Sequence, residues 1–118
     1  MQANIYGKKS EIIATNYLKK KGYKILKNNY KNKIGEIDII AKDKDTIVFV
    51  EVKARMSSKF GDPLEAINIH KQRKIIQVAQ IYLLKNKLTD VSSRFDAVAI
   101  LGELDSEIRH IENAFEIN

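Results

Sequence analysis

Cysteine is absent from this chain of 118 residues, so neither a disulfide framework nor a thiolate metal site can be built. Long apolar runs are missing too, since none approaches the roughly 20 residues that are needed to cross a bilayer. The first nine residues lack the apolar core of a signal peptide. These absences predict a cytoplasmic protein with no membrane partner. The length suits one domain, residues 1–118, with a core of modest size.

The net charge of +6 is distributed unevenly along the chain. Residues 1–34 carry nine lysines against one acid, Glu11, and residues 59–87 carry six bases against two acids. The acids of residues 35–58 therefore lie between two basic blocks. A basic surface around a few carboxylates suits a phosphodiester substrate, because the bases attract the polyanion and the carboxylates can hold a cation. The alternative is that the lysines serve solubility alone.

Hydrophobic periodicity and turn residues predict an α/β fold with the element order α-β-β-β-α-β-β. The first helix ends in a run of lysines before Gly22, and the second begins either at Pro63 or at the capping residue Asn68. This order predicts a central mixed sheet flanked by helices, with the last strand at an edge. The expected elements are a helix over 6–21, a helical stretch over 63–86, a loop over 28–33, and strands over 23–27, 36–41, 46–54, 94–101 and 108–115.

Three charges interrupt the apolar strands in the middle of the chain: Asp38 in the second strand, and Glu51 and Lys53 in the third. Side chains alternate along a strand, so Glu51 and Lys53 share one face. The other face of the third strand is wholly apolar and must be core. By the same alternation, Ile37 and Ile39 share the face opposite Asp38.

The turn between these two strands fixes which residues face each other. A reversal centred near Lys44 places Asp38 across from Val50 or Glu51, within a few ångströms of the Glu51 carboxylate if the faces match. Two converging carboxylates repel each other, and a divalent cation relieves that repulsion. Lys53 beside them could orient a water molecule or stabilise negative charge that develops on phosphorus.

Glu11 offers a third carboxylate, on the same helix face as the packing residues Ala14 and Leu18. The helix could place Glu11 over the carboxylates of the sheet, or Glu11 could cap the helix or pair with a nearby base. The strand charges also have an alternative reading. Asp38 and Glu51 could face solvent in surface ion pairs, which contribute roughly 0–1 kcal/mol to stability.

Several bases and two histidines are further candidates. The bases expected to contact nucleic-acid phosphates are Lys31, Arg55, Lys71, Arg73 and Lys74. For any of these on the second helix, the alternative is a solvated helix face. His70 could act as a general base, or it could be a capping or surface residue at the helix start. Asp96 could support the site indirectly or pair with Arg94, and His110 receives no role.

Asp38, followed after twelve residues by Glu51-Val52-Lys53, resembles the PD-(D/E)XK core of restriction-endonuclease-like nucleases. Longer segments resemble a narrower group, the YraN-like family of small bacterial proteins, which are similar in their core to archaeal Holliday-junction resolvases. The resemblance covers Ser10 to Phe115 and is carried by SEIIATNYLKKKGYKIL, NNYKNKIGEIDIIA, TIVFVEVKAR, FGDPLEAINIHKQRKI and RFDAVAI.

The resemblance implies a restriction-endonuclease-like fold, a five-stranded mixed sheet with a metal site at one side. It also implies roles for four residues: Asp38, Glu51 and Glu11 as ligands of Mg²⁺ or Mn²⁺, and Lys53 as the catalytic lysine. Two departures from related sequences are mild. Ser10 stands where Gly is common, and Tyr30-Lys31 stands where Tyr-Arg is usual, which weakens a bidentate phosphate clamp.

Together these observations predict a nuclease-like protein that depends on Mg²⁺ or Mn²⁺ and acts on nucleic acid, with DNA favoured over RNA. Branched or broken DNA is the expected substrate. Two alternatives on the same fold are a catalytically silent DNA- or RNA-binding module and an adaptor that recruits a protein. A homodimer would suit a two-fold DNA junction, as in the related resolvases.

Overall fold

The fold is a five-stranded sheet with one long helix on each face. The computed structural model describes residues 2–55, 63–102 and 107–116. Its elements are α1 (Gln2–Lys20), β1 (Lys24–Lys31), β2 (Glu36–Asp43), β3 (Thr46–Arg55), a short 3₁₀ turn (Pro63–Ala66), α2 (Ile69–Lys85), β4 (Ser93–Leu101) and β5 (Glu107–Phe115). No helix within these ranges is long and apolar enough to cross a bilayer.

The strands lie in the order β1-β2-β3-β4-β5 across the sheet. β3 and β4 are parallel, and every other neighbouring pair is antiparallel. A parallel pair requires a crossover, and the segment containing α2 provides it between β3 and β4. The predicted mixed sheet and the predicted order of elements are confirmed, and β5 forms an edge as expected.

The end of α1 and the start of α2 fall at the residues that the sequence indicated, whereas α1 begins at Gln2, four residues before the predicted start at Tyr6. α1 is closed by Gly22, whose φ of 96° is a conformation that glycine adopts without strain. There the Gly22 amide donates to the Lys19 carbonyl (3.0 Å) and the Tyr23 amide to the Leu18 carbonyl (3.0 Å). α2 starts where the Asn68 side chain accepts a hydrogen bond from the Lys71 amide at 3.0 Å.

The sheet is buried on both faces, so the molecule has two apolar cores. The core on the α2 side is formed mainly by Ile37, Ile40, Ile47, Phe49, Val78, Tyr82 and Phe95. The core on the α1 side is formed mainly by Ala14, Leu18, Ile39, Val48, Val50 and Val98. The prediction that the face of β3 opposite Glu51 is core is confirmed. The face that carries Glu51 is also core along the first half of the strand, as expected for a central strand with helices on both sides.

Two local predictions are wrong. Residues 28–31 belong to β1 rather than to a loop, because their backbone pairs with β2 while most of their polar side chains point to solvent. Ile37 and Ile39 do not share a face, since Ile37 packs on the α2 side and Ile39 on the α1 side. The alternation is interrupted at Asp38, and the neighbouring stretch of β1 is irregular there, with Asn29 at a φ of 52°.

Candidate active site

The candidate site lies where the β2–β3 ladder ends. Ile39 faces Val50 in the last pair of the ladder, which is one of the two registers that the turn predicted and brings Asp38 level with Glu51. Beyond that pair, the backbone amide of Val52 bonds to a side chain instead of to the backbone of β2: it donates to Asp38 Oδ2 at 2.8 Å. The Asp38 carboxyl is thereby fixed between the two strands.

Asp38 and Glu51 form a hydrogen-bonded carboxyl pair. Burial, the hydrogen bond to Glu51, and the charges of Glu51 and Glu11 raise the pKa of Asp38 to about 9, against the opposing effect of the Val52 amide. At neutral pH the pair therefore retains a proton that two isolated carboxyl groups would have lost. Glu51 itself is only 7% exposed.

Two lysines complete the centre of the site. Lys71, from the first turn of α2, places its Nζ 3.1 Å from Glu51 Oε2. Lys53 follows Glu51 on the same face of β3, and its amine makes a hydrogen bond with that of Lys71. Burial and the adjacent Lys71 lower the pKa of Lys53. Burial also opposes the charged form of Lys71, but the hydrogen bond with Lys53 and the charge of Glu51 outweigh it and raise the Lys71 pKa.

Glu11 reaches towards the pair from α1. Its Oε1 is buried and has no hydrogen-bond partner, which is a costly state for a carboxyl oxygen. Burial and the charges of Glu36 and Glu51 raise the pKa of Glu11, while a hydrogen bond with Asn29 opposes the shift. The three predicted carboxyl groups therefore influence one another electrostatically, as the sequence led us to expect.

The carboxyl oxygens of Asp38, Glu51 and Glu11 are chemically suitable ligands for a hard divalent cation. Within residues 2–55, 63–102 and 107–116, no three His, Asp or Glu side chains gather closely enough to form a complete metal cage. Mg²⁺, however, commonly takes only one or two protein carboxylates and completes its shell with water and phosphate oxygens. The Asp38–Glu51 pair supplies that number, and the unpartnered oxygen of Glu11 is a further donor nearby.

The remaining predicted phosphate contacts lie around the site rather than in it. Lys31 is exposed and lies 3.9 Å from Glu36, and Arg55 is exposed at the end of β3. Arg73 and Lys74 are exposed on α2, as is His70, which the sequence offered as a general base or cap. Lys71 alone among these bases contacts the carboxyl pair, by an ion pair that the sequence did not predict.

The sequence profile of the uncharacterised protein family UPF0102 matches residues 10–100 of the chain. The chain belongs to this family. The predicted resemblance to the YraN-like group is thereby confirmed. A UPF0102 protein of Clostridioides difficile (strain 630) is 52% identical over 105 residues, which cover 89% of this chain and 91% of that protein. A UPF0102 protein of Persephonella marina is 46% identical over 114 residues, covering 97% and 96% of the two chains.

This UPF0102 chain contains a second charged cluster, centred on buried Asp96, which we call the Arg94 network and which consists of Tyr23, Asp43, Arg94, Asp96, His110 and Glu112. Asp96 Oδ1 accepts from Arg94 Nε at 3.0 Å and from the Asn113 amide at 2.9 Å. Asp96 Oδ2 lies 2.8 Å from His110 Nε2. Arg94 Nη2 donates to the Tyr23 hydroxyl at 2.7 Å. The predicted alternative that Asp96 pairs with Arg94 is confirmed.

His110 is the residue of this network that sequence reasoning missed. Its side chain is 1% exposed, between Asp96 on β4 and the Nζ of Lys21, which is 2.8 Å from Nδ1. The sequence does contain a feature that could have pointed to His110: Arg94 and Asp96 lie two residues apart, on one face of an apolar strand. Two such charges require partners, and the neighbouring edge strand contains His110 and Glu112.

Proposed function

We propose that this protein is a metal-dependent endonuclease acting on DNA. The proposal rests above all on the Asp38–Glu51 pair, which the Val52 amide holds at the end of the β2–β3 ladder with Lys53 on the face of Glu51. Buried like-charged groups are retained at a cost and are typical of functional sites. The basic blocks on either side of the pair suit a polyanionic substrate.

Asp38 and Glu51 would hold Mg²⁺ or Mn²⁺, with Glu11 as an additional oxygen donor. When bound, the cation would supply positive charge to a phosphate oxygen and lower the pKa of a bound water. The chain contributes the geometry: the Val52 amide fixes Asp38, and the two strands fix the separation of the carboxyl groups. Lys53, next to Glu51 on its face, would orient the attacking water or stabilise charge on the phosphate.

Lys71 would compete with the cation for Glu51. Its ammonium lies 3.1 Å from Glu51 Oε2, an oxygen that a metal ion would also use. Metal binding at this oxygen would release Lys71 towards the solvent side of α2, where exposed Arg73 and Lys74 also lie. The released amine would then be available for a phosphate of the bound strand.

The test is cleavage of labelled duplex, single-stranded, flap and four-way DNA in the presence of Mg²⁺ or Mn²⁺. We expect turnover by the wild-type protein and a loss of at least about a hundredfold in Asp38→Asn and in Lys53→Ala. Asp45→Asn, at the exposed turn between β2 and β3, is the matched control and should cleave at the wild-type rate. Cleavage that persists in both site variants would contradict the proposal and indicate a contaminating nuclease.

A second candidate is a DNA-binding module without catalysis. The observation that favours it is the contact of Lys71 with a carboxyl pair that keeps a proton, because the ammonium offsets the charge of that pair without a cation, although Glu11 Oε1 stays unpartnered. This candidate predicts salt-sensitive DNA binding that is unchanged in Asp38→Asn, together with no turnover in either metal.

A further inference from the structure

A cleft of about 390 Å³ opens beside the candidate site, between α1 and β1. Its lining residues are Glu11, Ile12, Thr15, Asn16, Asn28 and Asn29. Glu11 lines this cleft. It also belongs to what we call the carboxyl site, the group formed by Glu11, Asp38 and Glu51, so the cleft and the site are contiguous. The volume falls within the range of small-molecule sites and exceeds what one nucleobase requires.

Three amides give the cleft its hydrogen-bonding character. Asn28, which lines the cleft, donates from Nδ2 to Thr15 Oγ1 at 3.0 Å, so its carbonyl oxygen is not engaged in this hydrogen bond. Asn29 has a φ of 52°, and its side chain makes a hydrogen bond with Glu11. Asn16 is exposed on α1. Amides of this kind offer a donor and an acceptor side by side, as the edge of a nucleobase does.

The cleft also has one exposed apolar residue, and the two elements that form it carry exposed lysines. Ile12 is 60% exposed and lines the cleft beside the amides, so it supplies an apolar contact surface there. Lys9 on α1 and Lys27 and Lys31 on β1 are exposed on the same two elements. These lysines would favour the approach of an anionic strand to the two elements that form the cleft.

We propose that this cleft binds an unpaired nucleobase of a DNA strand whose phosphate lies at the Asp38–Glu51 pair. The position of the phosphate rests on the proposed function. A base can enter the cleft and present its edge to the amides only when it has left a duplex, because pairing and stacking otherwise occupy its edge and faces. The inferred substrate class is therefore DNA with unpaired nucleotides, such as a flap or a single-stranded end, in preference to fully paired duplex or junction.

The experiment measures binding in the presence of EDTA, so that no cleavage contributes. Flap DNA with 2-aminopurine at the unpaired position and a fully paired duplex of equal length are titrated, and anisotropy and 2-aminopurine fluorescence are followed. The variants are Asn16→Ala, Asn28→Ala and the double variant. Gln80→Ala, an exposed amide on α2, is the matched control, since no variant changes the net charge. Thermal unfolding verifies that each variant is folded.

We expect the double variant to bind the flap about tenfold more weakly, with a change of less than twofold for duplex, and Asn16→Ala alone to act in the same direction. Gln80→Ala should match the wild type. Equal weakening for flap and duplex, or none for either, would overturn the inference, and so would a wild-type protein that binds both equally. A flap preference that depends on Asn16 and Asn28, in a protein that cleaves no DNA, would keep this inference and overturn the proposed nuclease.

Discussion

The carboxyl site and the Arg94 network bury charge in opposite ways. In the Arg94 network every oxygen of Asp96 has a partner: Arg94, His110 and the Asn113 amide. Burial alone would raise the pKa of Asp96, but these hydrogen bonds outweigh it and lower the pKa. Such a cluster is balanced by the chain itself, so it ties β4 to β5 and needs nothing further.

The carboxyl site is not balanced in this way. Asp38 keeps a proton at neutral pH, and Glu11 buries an oxygen with no hydrogen-bond partner. An unsatisfied buried polar group costs free energy, which is the physical reason for proposing the carboxyl site rather than the Arg94 network as the functional site. Buried charge alone therefore does not single out a candidate site in this protein, whereas a buried carboxyl oxygen without a hydrogen-bond partner, such as Glu11 Oε1, supports one.

Removal of Asp96 should produce the largest effect on stability. Asp96→Ala leaves Arg94 and His110 buried without their central acceptor, and we expect a loss of about 3 kcal/mol or more in the free energy of unfolding. Urea denaturation at pH 7 measures it, with exposed Asp45→Ala as the control. A loss below about 1 kcal/mol would show that the network does not stabilise the fold as described.

Substitution of Asp38 should have a smaller effect that depends on pH. The folded protein binds a proton on Asp38 that the unfolded chain releases near pH 4, so this group's stabilisation declines as the pH rises towards about 9. We expect wild-type stability to fall by roughly 1–3 kcal/mol between pH 6 and 9. Asp38→Asn, which cannot titrate, should flatten that decline. Denaturation curves across this range test the expectation, and parallel declines in the two proteins would contradict it.

Removal of Lys71 should strengthen metal binding. Lys71→Met takes away the ammonium that competes for Glu51 Oε2, and we expect the affinity for Mn²⁺ to rise about fivefold, or about 1 kcal/mol. Calorimetric titration at fixed pH measures the change. Lys74→Met removes the same charge from an exposed position on the same helix, so it controls for long-range electrostatics. Equal affinities in the two variants would argue against competition at Glu51.

The smallest effect on stability is expected for the ion pair between Lys31 and Glu36, because both side chains are largely exposed. Lys31 and Glu36 lie 3.9 Å apart with side chains that are 72% and 52% exposed. Lys31→Ala should therefore change the free energy of unfolding by no more than about 0.5 kcal/mol. Urea denaturation measures this change. A loss above about 1.5 kcal/mol in the free energy of unfolding would mean that the exposure of a charged side chain does not indicate how much the side chain stabilises this protein.

The carboxyl pair could be predicted from the sequence because it depends on local information. Asp38 and Glu51 are brought together by one tight turn, and alternation along β3 adds Lys53 to the face of Glu51. The order of elements followed in the same way from periodicity and caps, such as Asn68 before α2. Each of these features is fixed within about a dozen residues of chain.

Features that depend on distant pairing could not be predicted. The contact of Lys71 with Glu51 requires the docking of α2 on the sheet, and the contact of His110 with Asp96 requires the register of β5 on β4. The first four residues of the loop predicted over 28–33 were wrongly assigned, because the exposed polar side chains of residues 28–31 conceal a strand whose backbone bonds to β2. The break at Asp38 in the alternation of β2 side chains between the two faces of the sheet likewise leaves no recognisable pattern in the nearby sequence.

The most direct test of the account is Mn²⁺ binding by calorimetry at neutral pH, in wild-type protein, Asp38→Asn and Asp45→Asn. If the Asp38–Glu51 pair holds the metal, the wild type and Asp45→Asn bind Mn²⁺ equally and release protons on binding, because Asp38 must lose its proton to act as a ligand. Asp38→Asn should bind at least about tenfold more weakly. Binding that is the same in all three proteins, or that is absent from the wild type, would contradict a metal site at the Asp38–Glu51 pair.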